Sequence, residues 1–412
     1  MSVQAKQAMI EWCNKGNPSA GYASAQESRK MMTKFRELLG TICKVRVCCP
    51  EERDSIVAIN RAHPLNYKVL FTSGASEASC MVIAAVITSF ATARKCTPHL
   101  VISAIEHKSI YDMAATYESR GLITVTRVAP IRSGHIRPED VQAAIQSDTC
   151  LVCIMHANGE TGAINNVTAI GAISHKHGVP YLCDTVQTFG KYPPAITHID
   201  AICVSFHKFG GPPGSGALII KQQFLEGYKL MPMIFGTQNE GLRGGTENLP
   251  GIGASFMATK LAMESRSEKN ARVHGLKKYI IMEIRARMPS RAYTQQRMPP
   301  MPEVEIVFLS GIECNSNYLH NTILLSVYKY TAPPICNVRL KNDLEAKGVV
   351  VSVGSACNTA SPHASHVLYA MGANDLIRKG TLRISLGDEN TMEHAKCFVK
   401  EFLTVITKQI KK

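Results

Sequence analysis

The 412 residues, 45% of them hydrophobic, can bury a large core and predict two domains rather than one. The formal charge of +14 comes from scattered basic residues with no arginine-rich block or aromatic-interleaved patch, so it reads as solvated surface; nucleic acid is not the expected partner, although the charge leaves it open. Fourteen cysteines at irregular spacing, behind an opening MSVQAKQAMIEW without a charged-then-apolar leader, argue against secretion and predict a soluble, cytoplasmic protein in a reducing compartment.

In chain order, Ser2 to Cys13 reads as a short amphipathic helix, Lys15 to Ser19 as a turn, and Ala23 to Leu39 as a helix ending at Gly40. After Pro50, EERDSIVAINRA is helical. The apolar run from about Met81 to Ala93 is too short for a membrane span and reads as a buried core helix. Strands fit at Lys68 to Phe71, Leu100 to Ser103, Ile123 to Arg127, Cys150 to Met155, Pro180 to Cys183, Ala201 to Val204 and Gly216 to Ile220, alternating with helices. This pattern predicts an α/β fold with a mostly parallel seven-stranded sheet sandwiched by helices and ligands at the carboxyl ends of the strands. From Leu249 a long helical stretch begins, polar and basic through Ser265 to Lys278, and MPSRAYTQQRMPPMPE follows as the predicted linker. Strands near Glu303 to Phe308, Thr322 to Val327 and Thr381 to Ser385, with helices near Val338 to Lys347 and Thr391 to Lys408, predict a smaller α+β domain. The expected division is a large domain over 15–255 and a small one over 256–412, with residues 1–14 packing with the small domain.

The strand ends carry the chemistry. The strand ending at Val204 runs into Ser205, Phe206, His207 and Lys208 and then a glycine- and proline-rich turn. A desolvated lysine there suits Schiff-base chemistry, because only the neutral amine attacks a carbonyl. After the first strand, Thr72, Ser73, Gly74, Ala75 and Ser76 lead into a helix whose free N–H groups and dipole favour a phosphate. His107 follows the second strand, where an imidazole can stack on a flat ring or move a proton; the fourth ends at Asn158, and the fifth at Asp184 and Gln187. A carboxylate at the end of an apolar strand needs a cation, and a protonated pyridine nitrogen is one. Phosphate loop, imidazole, amide, carboxylate and lysine in that order describe a pocket for pyridoxal 5'-phosphate. Cys357, flanked by Gly354, Ser355, Ala356 and Asn358, has the setting of an exposed, reactive thiol. By contrast, Cys150 and Cys153 form a CxxC inside an apolar strand and are expected in the core; His175 and His177 read as surface residues, and no zinc spacing or other metal site stands out.

These motifs, together with GNPSAGYASAQESRK, GLRGGTEN and LRISLG, resemble the NifS/IscS-like cysteine desulfurases, pyridoxal phosphate enzymes of fold type I in the class V aminotransferase family. The resemblance covers nearly the whole chain. It implies conversion of L-cysteine to L-alanine with sulfur left as a persulfide on Cys357, for iron–sulfur cluster or other thio-cofactor biosynthesis. It also implies that Lys208 holds the cofactor and moves the substrate α-proton, that Asp184 pairs with the pyridine nitrogen, Gln187 with the phenolic oxygen, and that His107 stacks on the ring. Ala75, Ser76, Ser205 and His207 would bind the phosphate, joined in a homodimer by Thr246 of the neighbouring subunit; Asn158 would lie beside cofactor and substrate, and Arg383 would grip the substrate carboxylate.

Tyr22 stands where the family commonly has histidine and Gly159 where it has a second asparagine, while Thr237, Asn239 and Glu240 alter the stretch before GLRGGTEN. The chain begins after the Ala-Thr-Thr-Pro-like segment that family members usually carry, which predicts a more open pocket that holds cofactor but turns cysteine over slowly with a raised KM. The alternatives are a catalytically weakened relative that binds a scaffold or nucleic acid, a selenocysteine lyase, and a generic class V transaminase, against which Cys357 speaks. The sulfur acceptor, an iron–sulfur scaffold, a tRNA-modifying protein or none, is not fixed by the sequence.

Overall fold

The computed structural model describes residues 1–47, 66–192, 196–228, 230–296, 302–312, 315–331, 333–353 and 365–410. The helix expected after Pro50 and the nucleophile candidate Cys357 lie outside them. The described chain divides into two compact units.

The first unit comprises Met1–Val128, Pro138–His156 and Asn166–Arg266. In chain order its elements are α1 (Val3–Cys13), α2 (Ala23–Cys43), β1 (Arg46–Val47), β2 (Asn66–Thr72), α3 (Ala75–Arg94), β3 (His99–Ser103), α4 (Lys108–Ser119), β4 (Thr124–Val128), α5 (Pro138–Ala144), β5 (Thr149–Cys153), α6 (Val167–Lys176), β6 (Tyr181–Asp184), β7 (Ala201–Ser205), β8 (Gly216–Lys221), α7 (Gln222–Tyr228) and α8 (Leu249–Glu264). The seven strands expected from the sequence are present, and two-residue β1 adds an eighth at the edge: the order is β1-β2-β8-β7-β6-β5-β3-β4. Only β8 runs antiparallel to its neighbours. The central strands read as continuous apolar runs because helices cover both faces; β5 and β7 are buried at every residue.

Helix α3 contains the apolar run singled out in the sequence. Its Ala78, Met81, Val82, Ile83, Ala85 and Val86 pack with Leu100, Ile102, Leu182, Cys203 and Leu218 of the sheet in one core. Each large aliphatic side chain buried in this way stabilises the fold by roughly 1.5–3 kcal/mol. Cys150 and Cys153 are buried on β5, as expected of core residues, and burial pushes the Cys150 thiol up to about 12.

Helix α1 corrects one expectation. It belongs to the first unit rather than the second and packs there on α8, with Trp12 so close to Gly253 that a Cβ there would come within 2.2 Å of the indole.

The second unit comprises Ala129–Arg137, Ala157–Asn165 and Ser267–Lys412. Its elements are α9 (Arg266–Arg287), β9 (Ser290–Ala292), β10 (Val304–Phe308), β11 (Thr322–Lys329), α10 (Asn337–Glu345), α11 (His366–Ala370), α12 (Asp375–Gly380), β12 (Thr381–Ser385) and α13 (Met392–Ile410). The four strands form one sheet in the order β12-β11-β10-β9. Ile280 and Ile284 of α9, Leu340 and Leu344 of α10, and Phe398 and Phe402 of α13 build its core with Ile306, Phe308, Ile323 and Leu382. The proline- and methionine-rich stretch expected to link domains lies inside this unit: Ser290–Ala292 pairs parallel with β10. The division falls instead near Arg266, where Ser265 ends α8.

Candidate active site

The carboxyl ends of β2, β3, β6 and β7 carry the residues predicted to hold a cofactor in the first unit. At the end of β2, Thr72 Oγ1 donates to the Gly74 carbonyl at 3.0 Å, and α3 begins at Ala75. The Ala75 N–H donates to Ser205 Oγ at 2.9 Å, tying this helix start to the end of β7. Glu77 accepts from the Ser73 N–H at 2.7 Å and from Arg243 Nε at 2.9 Å. Burial alone would raise the Glu77 carboxyl, but the Arg243 and Ser73 hydrogen bonds hold it below the usual carboxylate range. Arg243 thus offsets the one acidic charge in the first turn of α3 and preserves the positive field at its N-terminus, where Ser76 is exposed. Gly216 opens β8 against this turn, and a Cβ there would meet Gly74 Cα at 2.6 Å.

Asp184 closes β6 half-buried, with Oδ1 accepting from the Val186 N–H at 2.8 Å. Burial raises its carboxyl above the usual range, opposed by the Val186 N–H hydrogen bond and then by electrostatic attraction toward His107 and Lys208. His107 is exposed and caps α4, with Nδ1 accepting from the Ser109 N–H at 3.2 Å. Gln187 is half-buried in the turn after β6. Beyond Ser205, a short 3-10 turn (Phe206–Phe209) buries Phe206 completely and directs His207 and Lys208 outward. Lys208 is therefore exposed and not desolvated as expected, because the turn spends its buried position on the phenylalanine. Partial burial, then the Lys208 charge, holds His207 below the usual histidine range. Thr246 is exposed before α8, in a segment braced by Asn239 and Glu240, the residues that depart from the family pattern. Both adopt left-handed backbone, φ +49° and +60°; Asn239 Oδ1 accepts from Arg36 Nη2 at 3.3 Å and Glu240 pairs with Lys68 at 2.7 Å.

Two predicted residues belong to the second unit. Asn158 is buried, and its Oδ1 accepts from the Glu160 and Thr161 N–H groups at 2.9 and 3.0 Å, closing a tight turn. Arg383 on β12 exchanges both backbone hydrogen bonds with Ser352, and its Nη1 donates to the Gly159 carbonyl at 3.4 Å. Its buried Nε has no hydrogen-bond partner among the described residues. Sequence reasoning missed Glu106, Glu160, Ser365 and Arg243. The one available signal was position: Glu106 directly precedes His107, and Glu160 directly follows Asn158 and Gly159.

In the first unit, a helix N-terminus with serine hydroxyls beside it accepts a phosphate, and a carboxylate raised by burial awaits a cationic ring nitrogen. A lysine and an imidazole sit at the same sheet edge. This donor set fits pyridoxal phosphate, and with the sheet order it defines a pyridoxal phosphate enzyme of fold type I. Residues 51–398 match the aminotransferase class-V family. The chain is 31% identical to the cysteine desulfurase IscS of Dictyoglomus turgidum over 381 residues, 92% of this chain and 84% of that protein. It is 33% identical to the cysteine desulfurase IscS of Clostridium botulinum strain Hall over 399 residues, 96% and 88% of the two chains. A solved NifS-like protein is similar with a TM-score of 0.79 and 27% identity, over 99% of this chain and 96% of that one. The chain belongs to the class-V aminotransferase family, among its NifS/IscS-like cysteine desulfurases.

Proposed function

We propose that this protein takes sulfur from L-cysteine, releases L-alanine, and passes the sulfur through a persulfide on Cys357 to an acceptor in iron–sulfur cluster or other thio-cofactor assembly. The observation that carries this reading is the half-buried Asp184 carboxylate at the end of β6, on the same sheet edge as His107 and Lys208. The chemistry the bound cofactor supplies is an electron sink for the α-carbon of the amino acid. Asp184 would keep the pyridine nitrogen protonated, His107 would lie against the ring and Gln187 would donate to the phenolic oxygen. The Ala75 and Ser76 N–H groups at the start of α3 and the hydroxyls of Ser76 and Ser205, with His207, would hold the phosphate. Lys208 would be the attachment point and would remove and return the substrate α-proton. Arg383 binds the substrate carboxylate, with Asn158 alongside. The Cys357 thiolate attacks the substrate sulfur: an S–S bond forms, the substrate C–S bond breaks, and its electron pair stays on carbon, which takes a proton and leaves as alanine.

A homodimer belongs to the same reading. Met231, Met233, Ile234 and Phe235 are 47%, 52%, 41% and 77% exposed, a run of apolar side chains just before the segment that carries Thr246, which would then serve the neighbouring subunit.

Purified protein should be yellow, borohydride should fix a pyridoxyl group on Lys208, and added L-cysteine should yield alanine and, with a thiol reductant, sulfide. Cys357→Ser should keep the cofactor band and lose persulfide. An adduct on another lysine, or sulfide release by Cys357→Ser at the parental rate, overturns the assignment.

A further inference from the structure

Within the second unit, one turn reaches both the guanidinium assigned to the substrate and the start of a helix. The Asn158 side chain tightens this turn, so that Gly159 presents its carbonyl to Arg383 Nη1 and Glu160, 5% exposed, points its carboxylate inward. Glu160 Oε2 accepts from Ser365 Oγ at 2.6 Å. Ser365 is the N-cap of α11, and its Oγ also accepts from the Val367 and Leu368 N–H groups at 3.1 and 3.4 Å. A hydroxyl has a single proton. With its lone pairs turned to two amides, Ser365 gives that proton to Glu160, so Oε2 has to be an acceptor. Burial raises the Glu160 carboxyl, while the Ser365 hydrogen bond and electrostatic attraction toward His366 and Arg383 pull it down.

Arg383 is fixed on its backbone side by Ser352, but its Nε–H is buried without a hydrogen-bond partner among the described residues. A buried unpaired donor is costly, and an incoming carboxylate removes that cost with a charge-assisted bond. The direction the guanidinium faces is then set by the Gly159 carbonyl on Nη1, and the electrostatic attraction of Glu160, in the same turn, favours it.

We propose that Glu160 is a positioning residue for recognition of the substrate carboxylate, orienting Arg383 through their shared turn and counter-charge while fixing the N-cap of α11 through Ser365. This rests on the reading that Arg383 receives the carboxylate of L-cysteine. Glu160 touches no reacting atom, so its loss acts on binding before turnover. Glu160→Gln keeps an acceptor for Ser365 and removes the charge; Glu160→Ala removes both; Ser365→Ala removes the tether together with the N-cap hydroxyl.

The holoenzyme variants are compared by steady-state kinetics, by spectral titration with L-cysteine and with cysteamine, which lacks the carboxylate, and by amide hydrogen exchange. Glu160→Ala should raise KM for L-cysteine roughly tenfold, the scale of one charge-assisted hydrogen bond, with kcat within about threefold. Cysteamine binding and pyridoxal phosphate affinity should not change. Exchange at Val367 and Leu368 should speed up in Glu160→Ala and Ser365→Ala but not in Glu160→Gln, while Glu160→Gln should still raise KM. A KM for Glu160→Ala within twofold of the parent, an equal loss toward L-cysteine and cysteamine, or unchanged exchange at α11 in both tether variants overturns the proposal. Should Glu160→Ala fail to fold, Glu160→Gln decides the charge role and Ser365→Ala the tether. If the parent protein turns over no L-cysteine, the functional reading fails by itself, and binding of L-alanine to Glu160→Gln together with the exchange data still decides the role of Glu160.

Discussion

Glu106 is fully buried at the end of β3, where its Oε1 accepts from Ser103 Oγ and from the Met155 N–H at 2.8 Å. Burial pushes this carboxyl up to about 8; the Ser103 and Met155 hydrogen bonds oppose the rise and the Asp184 charge adds to it. The folded protein therefore keeps a proton that the unfolded chain releases, so stability falls as pH rises from about 4.5 to about 8. At pH 7 the loss is on the order of 3 kcal/mol. His156, pushed down to about 4 by burial, imposes the opposite slope below 6.5, as does His320. Between pH 6.5 and 8 the histidine slopes are absent, and comparison of melting temperatures with a variant reads this carboxyl: the decline seen in the parent should be shallower in Glu106→Gln, and parallel curves would contradict a protonated Glu106. The same residues show what the sequence makes legible. Asp184, Ser205 and Lys208 stand out because a polar side chain ending an apolar strand needs a reason. Glu106 and Glu160 do not, since a glutamate among polar loop residues looks the same whether the fold buries it or leaves it in water.

Two helix starts and one helix end show what an element inherits from its neighbours. The strand β8 can begin at residue 216 only as glycine, because a Cβ would lie 2.5 Å from the Val204 carbonyl and 2.6 Å from Gly74 Cα. Gly216→Ala should push the turn before α3 away and separate the Ala75 N–H from Ser205 Oγ. We expect a loss of about 1–3 kcal/mol in stability and a weaker grip on pyridoxal phosphate, read by melting and by cofactor fluorescence titration. Gly227→Ala, on α7 with open space around its Cβ, is the control and should leave both unchanged. Parental cofactor affinity in Gly216→Ala would show that the close approach does not shape the phosphate site. The helix start at Ala75 was readable from the Gly/Ser turn, whereas the cap that His107 places on α4 emerged only from the structure. The end of α2 was not: the helix runs through Gly40 to Cys43 and is capped by left-handed Lys44. Gly40 serves a close approach to Val47, whose Cγ2 would sit 2.5 Å from an added Cβ, and a glycine kept for packing carries the same letter as one kept for a cap.

For the molecule as a whole, the alternation of strands and helices disclosed the layers and strand directions, since local periodicity encodes them. The composition of the chain did not disclose its division. The stretches 129–137 and 157–165 belong to the second unit although they fall between strands of the first sheet, and no local pattern announces an allegiance formed so far along the chain. The apolar run around Phe235 bears on the molecule at the next level of assembly. Phe235→Asp should shift sedimentation from dimer to monomer and lower activity in proportion to the dimer lost; a monomeric parent, or a variant that remains dimeric, would remove this segment from the interface. The interleaving also sets a timetable for synthesis. Glu160 is made 205 residues before Ser365, and Ser133, whose carbonyl accepts from Tyr318 Oη, 185 residues before its partner. At ribosomal speeds of about 5–20 residues per second, these early segments wait roughly 10–40 s for the chain that completes them. Closing such long loops is slow, and in the interval the turn around Asn158 is emerging polypeptide with its destination still to be translated.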